Sequence, residues 1–464
     1  MTTRQAVPAA ASPASPASPA TPASPAGPAW RAPGGSPRRP RRVATVITRL
    51  EGGAGVLALR GALAMDPGAC RPTIITGSGG ALLGAAAAAG LEVLIDPALR
   101  VPISPGADLR AVRRLEAVFR ERSFDVVHTH CAKAGAVGRI AARRARVPRV
   151  VHTFHGFPFH DFQPMALRQA YITIERRLGR ITDLALCVGA AVAAEAVRRQ
   201  LVAPERVRTI GVAVDGPARA RASRMARSPE ARLRARFALG LPAHATVVGA
   251  VGRLTFQKAP EDFLAAMQHL DRPGVTGVWV GGGELAGRIR RMASELAGVH
   301  VTLAGERADI LDIIPAFDVF ALPSRYEGLP TVVVEAMICG VPVVASAVNA
   351  VPDLVIPGET GLLVPPHQPE RLAAGIRYLL DWPAAAGRMA ASASARLAGK
   401  YGAGELRDAL MAAYVPAIEQ AGVSAWLTPE LWAARSGRGD DDESSGQRGG
   451  ALRRTRAAQP GTRR

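Results

Sequence analysis

Short apolar runs alternate with longer stretches of helical length, and this alternation is played through twice along the chain. Val43–Thr48, Thr73–Thr76, Glu92–Ile95, Val126–His128, Val150–Thr153 and Leu184–Val188 read as strands separated by helix-length segments. Arg208–Val212, Thr246–Val251, Val275–Val280, Val299–Leu303, Val319–Leu322 and Pro342–Ser346 form a second series. Two βαβ series of similar size predict an α/β protein with two doubly wound sheets and a cleft between them.

The pattern stops at both ends. Residues 1–42 are Ala/Ser/Pro repeats closing on Pro-Arg-Arg-Pro-Arg-Arg, a composition that cannot bury a core and predicts a disordered tail. Residues 436–464 behave alike, and the run Asp440–Glu443 lacks the structured scaffold a metal site needs. Two Rossmann-like domains are expected between the tails, over 43–205 and 206–403, with an Arg/Pro/Gly-rich joint near 215–228. Helices over 404–435 are expected to pack back on the first domain.

Two carboxylates stand out in the stretch Ser324 to Val344. A strand ending at Pro323 hands over to a loop carrying Glu327 and Gly328. Pro330 suits the first helical position, and Gly340 followed by Pro342 stops the helix. Glu335 is flanked there by Val332, Val333, Val334, Ala336, Met337 and Ile338, so the helix has no polar face and is predicted to be buried on most sides. An ionised carboxylate in such a place is costly unless it is paired or bound. Either local backbone or an arginine satisfies it, or it faces a ligand at the end of a parallel strand.

A second strand end supplies cations. In Val251-Gly-Arg-Leu-Thr-Phe-Gln-Lys-Ala-Pro260 the strand stops at Gly252 and delivers Arg253 and Lys258 to a loop, where doubly wound sheets bind ligands. Arg as a fork and Lys as a point charge suit a phosphate or diphosphate. The chain holds 55 Arg but three Lys (Lys133, Lys258 and Lys400), so a Lys in this loop points to a required ammonium. The helix expected to begin near Gly328 adds free N–H groups and a positive dipole end. Together these groups could neutralise a leaving diphosphate without a divalent metal, while Glu335 accepts from ribose hydroxyls and Glu327 from a transferred sugar.

The net charge of +20 suggests nucleic acid until it is divided. Residues 1–42 hold six Arg and no acid, residues 43–200 hold 21 basic against 12 acidic side chains, and residues 201–434 are nearly balanced. Clusters at Arg110/Arg113/Arg114, Arg143/Arg144/Arg146 and Arg176/Arg177 fit either a solvated helix face or an anionic surface such as a membrane leaflet or lipid phosphate. Aromatics make up 5% of the chain and none interleaves with the basic runs, which argues against nucleic acid. No apolar segment reaches the ~20 residues of a membrane span, and the N-terminus does not look like a secretory signal. Cys70, Cys131, Cys187 and Cys339 are scattered, which suggests reduced thiols in a cytoplasmic protein and no zinc site.

Gly252-Arg253…Lys258, Glu327-Gly-Leu-Pro330 and Glu335, with seven residues between the two glutamates, resemble the donor-site signature of glycosyltransferase family 4, which has the GT-B fold. The resemblance extends over roughly residues 43–420. It takes in Gly52-Gly53-Ala54, Asp125-Val-Val-His-Thr-His130, His152-Thr-Phe-His155-Gly156, Val280-Gly-Gly-Gly283, Gly305-Glu-Arg-Ala-Asp309 and Pro357-Gly-Glu-Thr-Gly-Leu-Leu-Val-Pro365. It implies an acceptor domain followed by a nucleotide-sugar donor domain, and a retaining hexosyl- or N-acetylhexosaminyl-type transfer (EC 2.4), usually with no metal and no cofactor. By that resemblance the catalytic residues are Arg253, Lys258, Glu327 and His155. Arg253 and Lys258 would hold the diphosphate, Glu327 would contact the sugar and His155 would sit near its reacting face. Gly53, Gly252, Arg307, Gly328, Leu329 and Glu335 would bind the donor. Here Gly53 permits close approach, Arg307 lines the base pocket, Gly328 and Leu329 offer backbone donors, and Glu335 takes the ribose. The acceptor would attack on the leaving-group side with a β-phosphate oxygen taking its proton, unlike a retaining glycosidase with its carboxylate nucleophile.

Thr129-His-Cys-Ala-Lys133-Ala-Gly-Ala-Val-Gly-Arg139 and His-Gly-Phe-Pro-Phe159 are similar to the branch that builds bacterial surface polysaccharides on lipid carriers. A UDP-sugar is favoured over GDP-mannose, with a glycan or lipid-linked acceptor and peripheral contact with the anionic inner face of the cell membrane. Gly55, Ile210-Gly-Val-Ala-Val-Asp215 and Asn349-Ala-Val-Pro-Asp353 depart from the family pattern and bear on donor and acceptor identity more than on reaction class. A nucleotide-sugar epimerase on the same fold and a non-catalytic partner subunit remain as alternatives. Gly281–Gly283 alone is a weak dinucleotide fingerprint, and no such pattern follows Val43–Thr48, which disfavours a dehydrogenase. Taken by itself His155 fits a hydrogen-bonded loop histidine equally well, and of His128 and His130 one is expected to point into the sheet.

Overall fold

The computed structural model describes residues 39–100, 103–214, 220–222 and 228–415. The tail expected over 436–464, nearly all of that over 1–42, and the part of 404–435 beyond residue 415 lie outside the described residues.

Seven strands form the first sheet: β1 (Arg41–Leu50), β2 (Cys70–Gly79), β3 (Glu92–Ile95), β4 (Val126–His130), β5 (Arg149–Phe154), β6 (Leu184–Cys187) and β7 (Val207–Thr209). Their order is β3-β2-β1-β4-β5-β6-β7. Six form the second: β8 (Thr246–Val251), β9 (Val275–Val280), β10 (His300–Gly305), β11 (Val319–Leu322), β12 (Val343–Ser346) and β13 (Leu362–Val364), ordered β10-β9-β8-β11-β12-β13. Neighbouring strands are parallel throughout. All residues of β4, β6, β11 and β12 are buried, as expected for parallel strands covered by helices on both faces. In each sheet the strand order reverses once, between β1 and β4 and between β8 and β11. A crevice forms at the carboxyl ends of the strands at such a switch point.

Two short strands depart from the sequence reading. The run expected to open the second series at Arg208 instead pairs Val207–Thr209 with β6, with Ala185 opposite Val207, and so closes the first sheet. With two of its three residues exposed, the strand carries too little apolar pattern to declare which sheet it joins. β13 was not among the expected strands, since three residues are too few for a period.

The helix Ala403–Tyr414 returns to the first sheet. Leu406, Leu410, Ala413 and Tyr414 are its buried stripe, and Leu410 packs on the bare backbone of Gly61 in the helix Gly52–Leu63. Arg149 in β5 donates from Nε to the Ala413 carbonyl at 3.0 Å, and the Tyr414 hydroxyl lies 2.9 Å from Nδ1 of His128 in β4. The last helix therefore ties the end of the described chain to the first sheet.

Candidate active site

Loops from both switch points meet. After β1, Gly52 turns the chain at φ 61° into the helix Gly52–Leu63. Gly53 then faces the first residue of the helix Thr331–Ile338, and a Cβ on it would sit 3.7 Å from Thr331 Oγ1. After β5, the backbone of His155 lies against Gly328, where an added Cβ would fall 1.7 Å from the His155 carbonyl oxygen. Only a residue without a side chain lets these two backbones touch. The helix begins at Thr331 rather than near Gly328, with Pro330 just before it as cap. Its end is closed by Gly340 (φ 68°), whose N–H donates to Met337 while Val341 donates to Ala336.

Lys258 and Glu327 come from the loops after β8 and β11 and pair directly, Nζ to Oε1 at 2.5 Å, with side chains 16% and 5% exposed. The Lys258 stem runs over Gly252, whose missing side chain leaves it room. Gln257 and Tyr326 hold the two loops together: the Arg325 N–H donates to the Gln257 carbonyl at 2.8 Å, and Gln257 Nε2 donates to the Tyr326 carbonyl at 3.0 Å. The Glu327 N–H donates to Asn349 Oδ1 at 2.8 Å. Asn349 adopts φ 43°, a left-handed conformation that asparagine tolerates better than most residues.

Glu335 lies one turn into the helix, 8% exposed. Among the described residues no group hydrogen-bonds its carboxylate. Burial pushes this carboxyl up to about 7, opposed by the charge of Arg60 on the helix Gly52–Leu63. The Arg253 carbonyl accepts the Thr255 N–H at 2.8 Å, while its guanidinium makes no hydrogen bond or ion pair among the described residues. Burial pushes the Cys131 thiol, at the end of β4, up to about 11, and the Arg253 and Arg49 charges oppose it, so Arg253 acts across the cleft on the first sheet.

The other named residues are placed differently. Arg307, after β10, is held by Asp309 through Nε–Oδ1 at 2.8 Å and a second bond at 2.6 Å, and touches neither Lys258 nor Glu327. The Leu329 side chain is core, packed at Gly189. His155 Nε2 lies 2.9 Å from His130 Nδ1, and burial holds the His155 imidazole down to about 4. His128 and His130 do not point to opposite faces; two residues apart on one strand, they share a face and their rings lie 4.2 Å apart.

Several contacts across the cleft escaped the sequence reading. The His160 and Tyr326 rings stack at 4.4 Å and 12°, while Phe162 meets Phe256 at 5.7 Å and His367 at 4.9 Å. Asp353 Oδ2 accepts the Ala191 N–H at 3.1 Å, at the start of the helix Ala190–Arg198. A carboxylate there meets the positive end of the helix dipole. Asn349 and Asp353 bound the segment that departs from the family pattern, which was the available signal; the aromatic pairs had none. Among the described residues, no group of three His, Cys, Asp or Glu is placed to hold a metal.

Comparison with known proteins agrees with this arrangement. Residues 51–215 match the family model of Glycosyltransferase Family 4, and residues 231–396 that of glycosyl transferases group 1. The UDP-Gal:alpha-D-GlcNAc-diphosphoundecaprenol alpha-1,3-galactosyltransferase of Escherichia coli is 32% identical over 259 residues, covering 54% of this chain and 65% of that protein. The D-inositol 3-phosphate glycosyltransferase of Mycobacterium bovis (strain BCG / Pasteur 1173P2) is 33% identical over 329 residues, covering 66% of this chain and 65% of that protein. The matched region thus spans just under two thirds of each relative. In fold the chain is similar to Anabaena Alr3699/HepE in complex with UDP and glucose, at a TM-score of 0.68 and 22% identity, over 80% of this chain and 98% of that one. It is also similar to the sucrose-phosphate synthase of Thermosynechococcus elongatus, at a TM-score of 0.67 and 21% identity, over 85% and 100%. Two doubly wound sheets with facing switch points, and a family model on each, make this chain a member of glycosyltransferase family 4 with the GT-B fold.

Proposed function

We propose that this protein is a retaining glycosyltransferase, moving a hexosyl or N-acetylhexosaminyl group from a nucleotide-diphosphate sugar to a glycan or lipid-linked acceptor in cell-surface polysaccharide synthesis. The first domain takes the acceptor and the second the donor. The observation that carries the reading is a buried Glu335, whose carboxylate no described residue hydrogen-bonds, one turn into the helix that follows directly on the Lys258–Glu327 pair. A nucleotide sugar supplies what both need: ribose hydroxyls for the Glu335 carboxylate, a diphosphate for Lys258 and Arg253, and sugar hydroxyls for Glu327. As the diphosphate arrives, Lys258 shares its charge between phosphate and Glu327. It then stabilises the leaving group, while a phosphate oxygen takes the acceptor's proton. Gly53, Gly252, Gly328 and the Leu329 backbone let the donor approach the main chain closely, and Arg307 stands by the base with Asp309 orienting it.

A UDP-sugar is the favoured donor and a lipid-diphosphate acceptor fits best. The Escherichia coli relative is named for UDP-galactose and a diphosphoundecaprenol-linked acceptor, and the Anabaena neighbour was solved with UDP and glucose. Such an acceptor calls for work at a membrane surface. No helix among the described residues is long and apolar enough to cross a membrane; the contact we propose is peripheral. Incubation with UDP-, GDP- and ADP-sugars tests the reading: nucleotide release that depends on an acceptor supports it. Sugar conversion without acceptor would make the protein an epimerase, and inertness to every donor a binding protein. Lys258→Ala should lower turnover by about 100-fold or more, the scale of losing one preorganised charge; near-normal turnover would remove Lys258 from leaving-group stabilisation.

A further inference from the structure

The histidines beneath the cleft hold information about His155 that its own position does not show. His128 and His130 lie on one face of β4, with Val151 and Thr153 as their partners on β5. His128 is fully engaged, with Nδ1 at 2.9 Å from the Tyr414 hydroxyl and Nε2 at 2.7 Å from Thr153 Oγ1. His130 is not. Its Nδ1 lies 2.9 Å from His155 Nε2, while its own Nε2 is buried with no hydrogen-bond partner. Burial holds both rings neutral near pH 7: it lowers His130 well below the ordinary histidine value, and His155 to about 4.

A neutral imidazole has one N–H and one lone pair. The contact between His130 and His155 therefore needs a proton on one of the two facing nitrogens and none on the other. If His155 donated from Nε2, the His130 proton would sit on Nε2, a buried N–H with no acceptor. Orphaned buried N–H groups are the rarer kind, because nothing replaces the water they lose. The opposite arrangement leaves only a bare lone pair at His130 Nε2. It makes His155 the acceptor at Nε2 and so places the His155 proton on Nδ1, the ring nitrogen that no described residue engages.

We propose that His130 is a positioning residue, which donates its Nδ1–H to His155 and thereby fixes His155 as a hydrogen-bond donor at Nδ1. His155 then offers an N–H to an oxygen of the transferred sugar and has no lone pair free to deprotonate the acceptor. The sugar contact rests on the nucleotide-sugar reading of the cleft; the tautomer rests on the contact geometry and burial of the two rings and not on that reading.

Long-range 1H–15N NMR on the full chain with labelled histidine reads the tautomer directly, with the His155 signals assigned from a His155→Gln spectrum. His155 should carry its proton on Nδ1 in the unaltered protein. It should do so also in His130→Asn, whose amide keeps an N–H donor near the same position. In His130→Phe, His155 should show Nε2–H or an exchanging mixture. Turnover should fall about three- to tenfold in that variant, the size of one neutral hydrogen bond, and recover in His130→Asn. An Nε2–H on His155 in the unaltered protein overturns the proposal, whatever the activity and whether or not the variants fold. An unchanged tautomer in folded His130→Phe overturns it too. If the unaltered protein turns over no nucleotide sugar, the reading of the cleft fails and the tautomer stands or falls on its own spectrum.

Discussion

A carboxyl that burial pushes up to about 7 is partly protonated near neutral pH, and whatever binds beside it decides which form prevails. Hydroxyl donors favour the ionised form. Binding of a nucleotide sugar at Glu335 should therefore release protons just below pH 7. Calorimetric titration in two buffers of different ionisation heat should show that release in the unaltered protein and not in Glu335→Gln; identical heats in both buffers for the unaltered protein would count against ribose binding there. The same shift acts on stability. The folded value lies above the ordinary glutamate value of about 4.5, so between the two the folded chain binds more protons than the unfolded one. Stability contributed by this group is full below about 4.5, falls as pH rises through about 7 and is level above. Urea unfolding of Glu335→Gln should lack this slope, a difference of order 1–3 kcal/mol. The residue types here were legible: carboxylates in an apolar setting and a rare lysine at a strand end. Their partners were not, since Lys258 and Glu327 are 69 positions apart and only the fold brings them together.

At the scale of elements, the apolar runs located nearly every strand because parallel strands buried on both faces stay apolar throughout. β7 and β13 were misread or missed because three residues carry no period. The basic clusters also resolved into separate cases. Arg114, Arg143 and Arg144 pair with Asp96, Asp183 and Glu116 and serve the fold. Arg139, fully buried, pairs with Glu175 at 2.8 Å between two helices. The helix Met165–Arg180 is different. One edge of its outer face carries Leu167 and Ile174, 45% and 46% exposed, beside exposed Arg176, Arg177 and Arg180, which pair with no carboxylate among the described residues. An apolar edge beside a cationic one suits the surface of an anionic bilayer, and the helix follows directly on the loop that carries His155. Sedimentation with vesicles rich in anionic lipid should pull down the protein. The combined change Arg176→Glu, Arg177→Glu and Arg180→Glu should weaken binding at least tenfold, at about 1 kcal/mol per charge near the surface; unchanged binding would move the contact elsewhere.

At the scale of the molecule, the two sheets share one continuous apolar cluster, and specific contacts across it include the His160–Tyr326 stack, Phe162 between Phe256 and His367, Asp353 at the start of a first-domain helix, and Gly328 against His155. Gly328 is the least tolerant of them, because the atom opposite it is backbone and cannot rotate away. Gly328→Ala should force the loops after β5 and β11 apart. Small-angle scattering should report a larger radius of gyration, and turnover should drop about 100-fold, the scale of a 1 Å misplacement at a reacting centre. Normal turnover at unchanged dimensions would show that this approach does not set the working geometry.

The sequence by itself determined what is local and repetitive: two βαβ series, the strand ends at which ligands collect, and the chemical types of Arg253, Lys258, Glu327 and Glu335. Those follow from period and composition within a few tens of residues. The tertiary structure decided what depends on distance: the direct Lys258–Glu327 pair, Asn349 and Asp353 as the props of the cleft, Arg307 engaged with Asp309, and the His130–His155 contact. Such relations arise where loops from separate strands converge at a switch point, and no periodicity along the chain records which of them will touch.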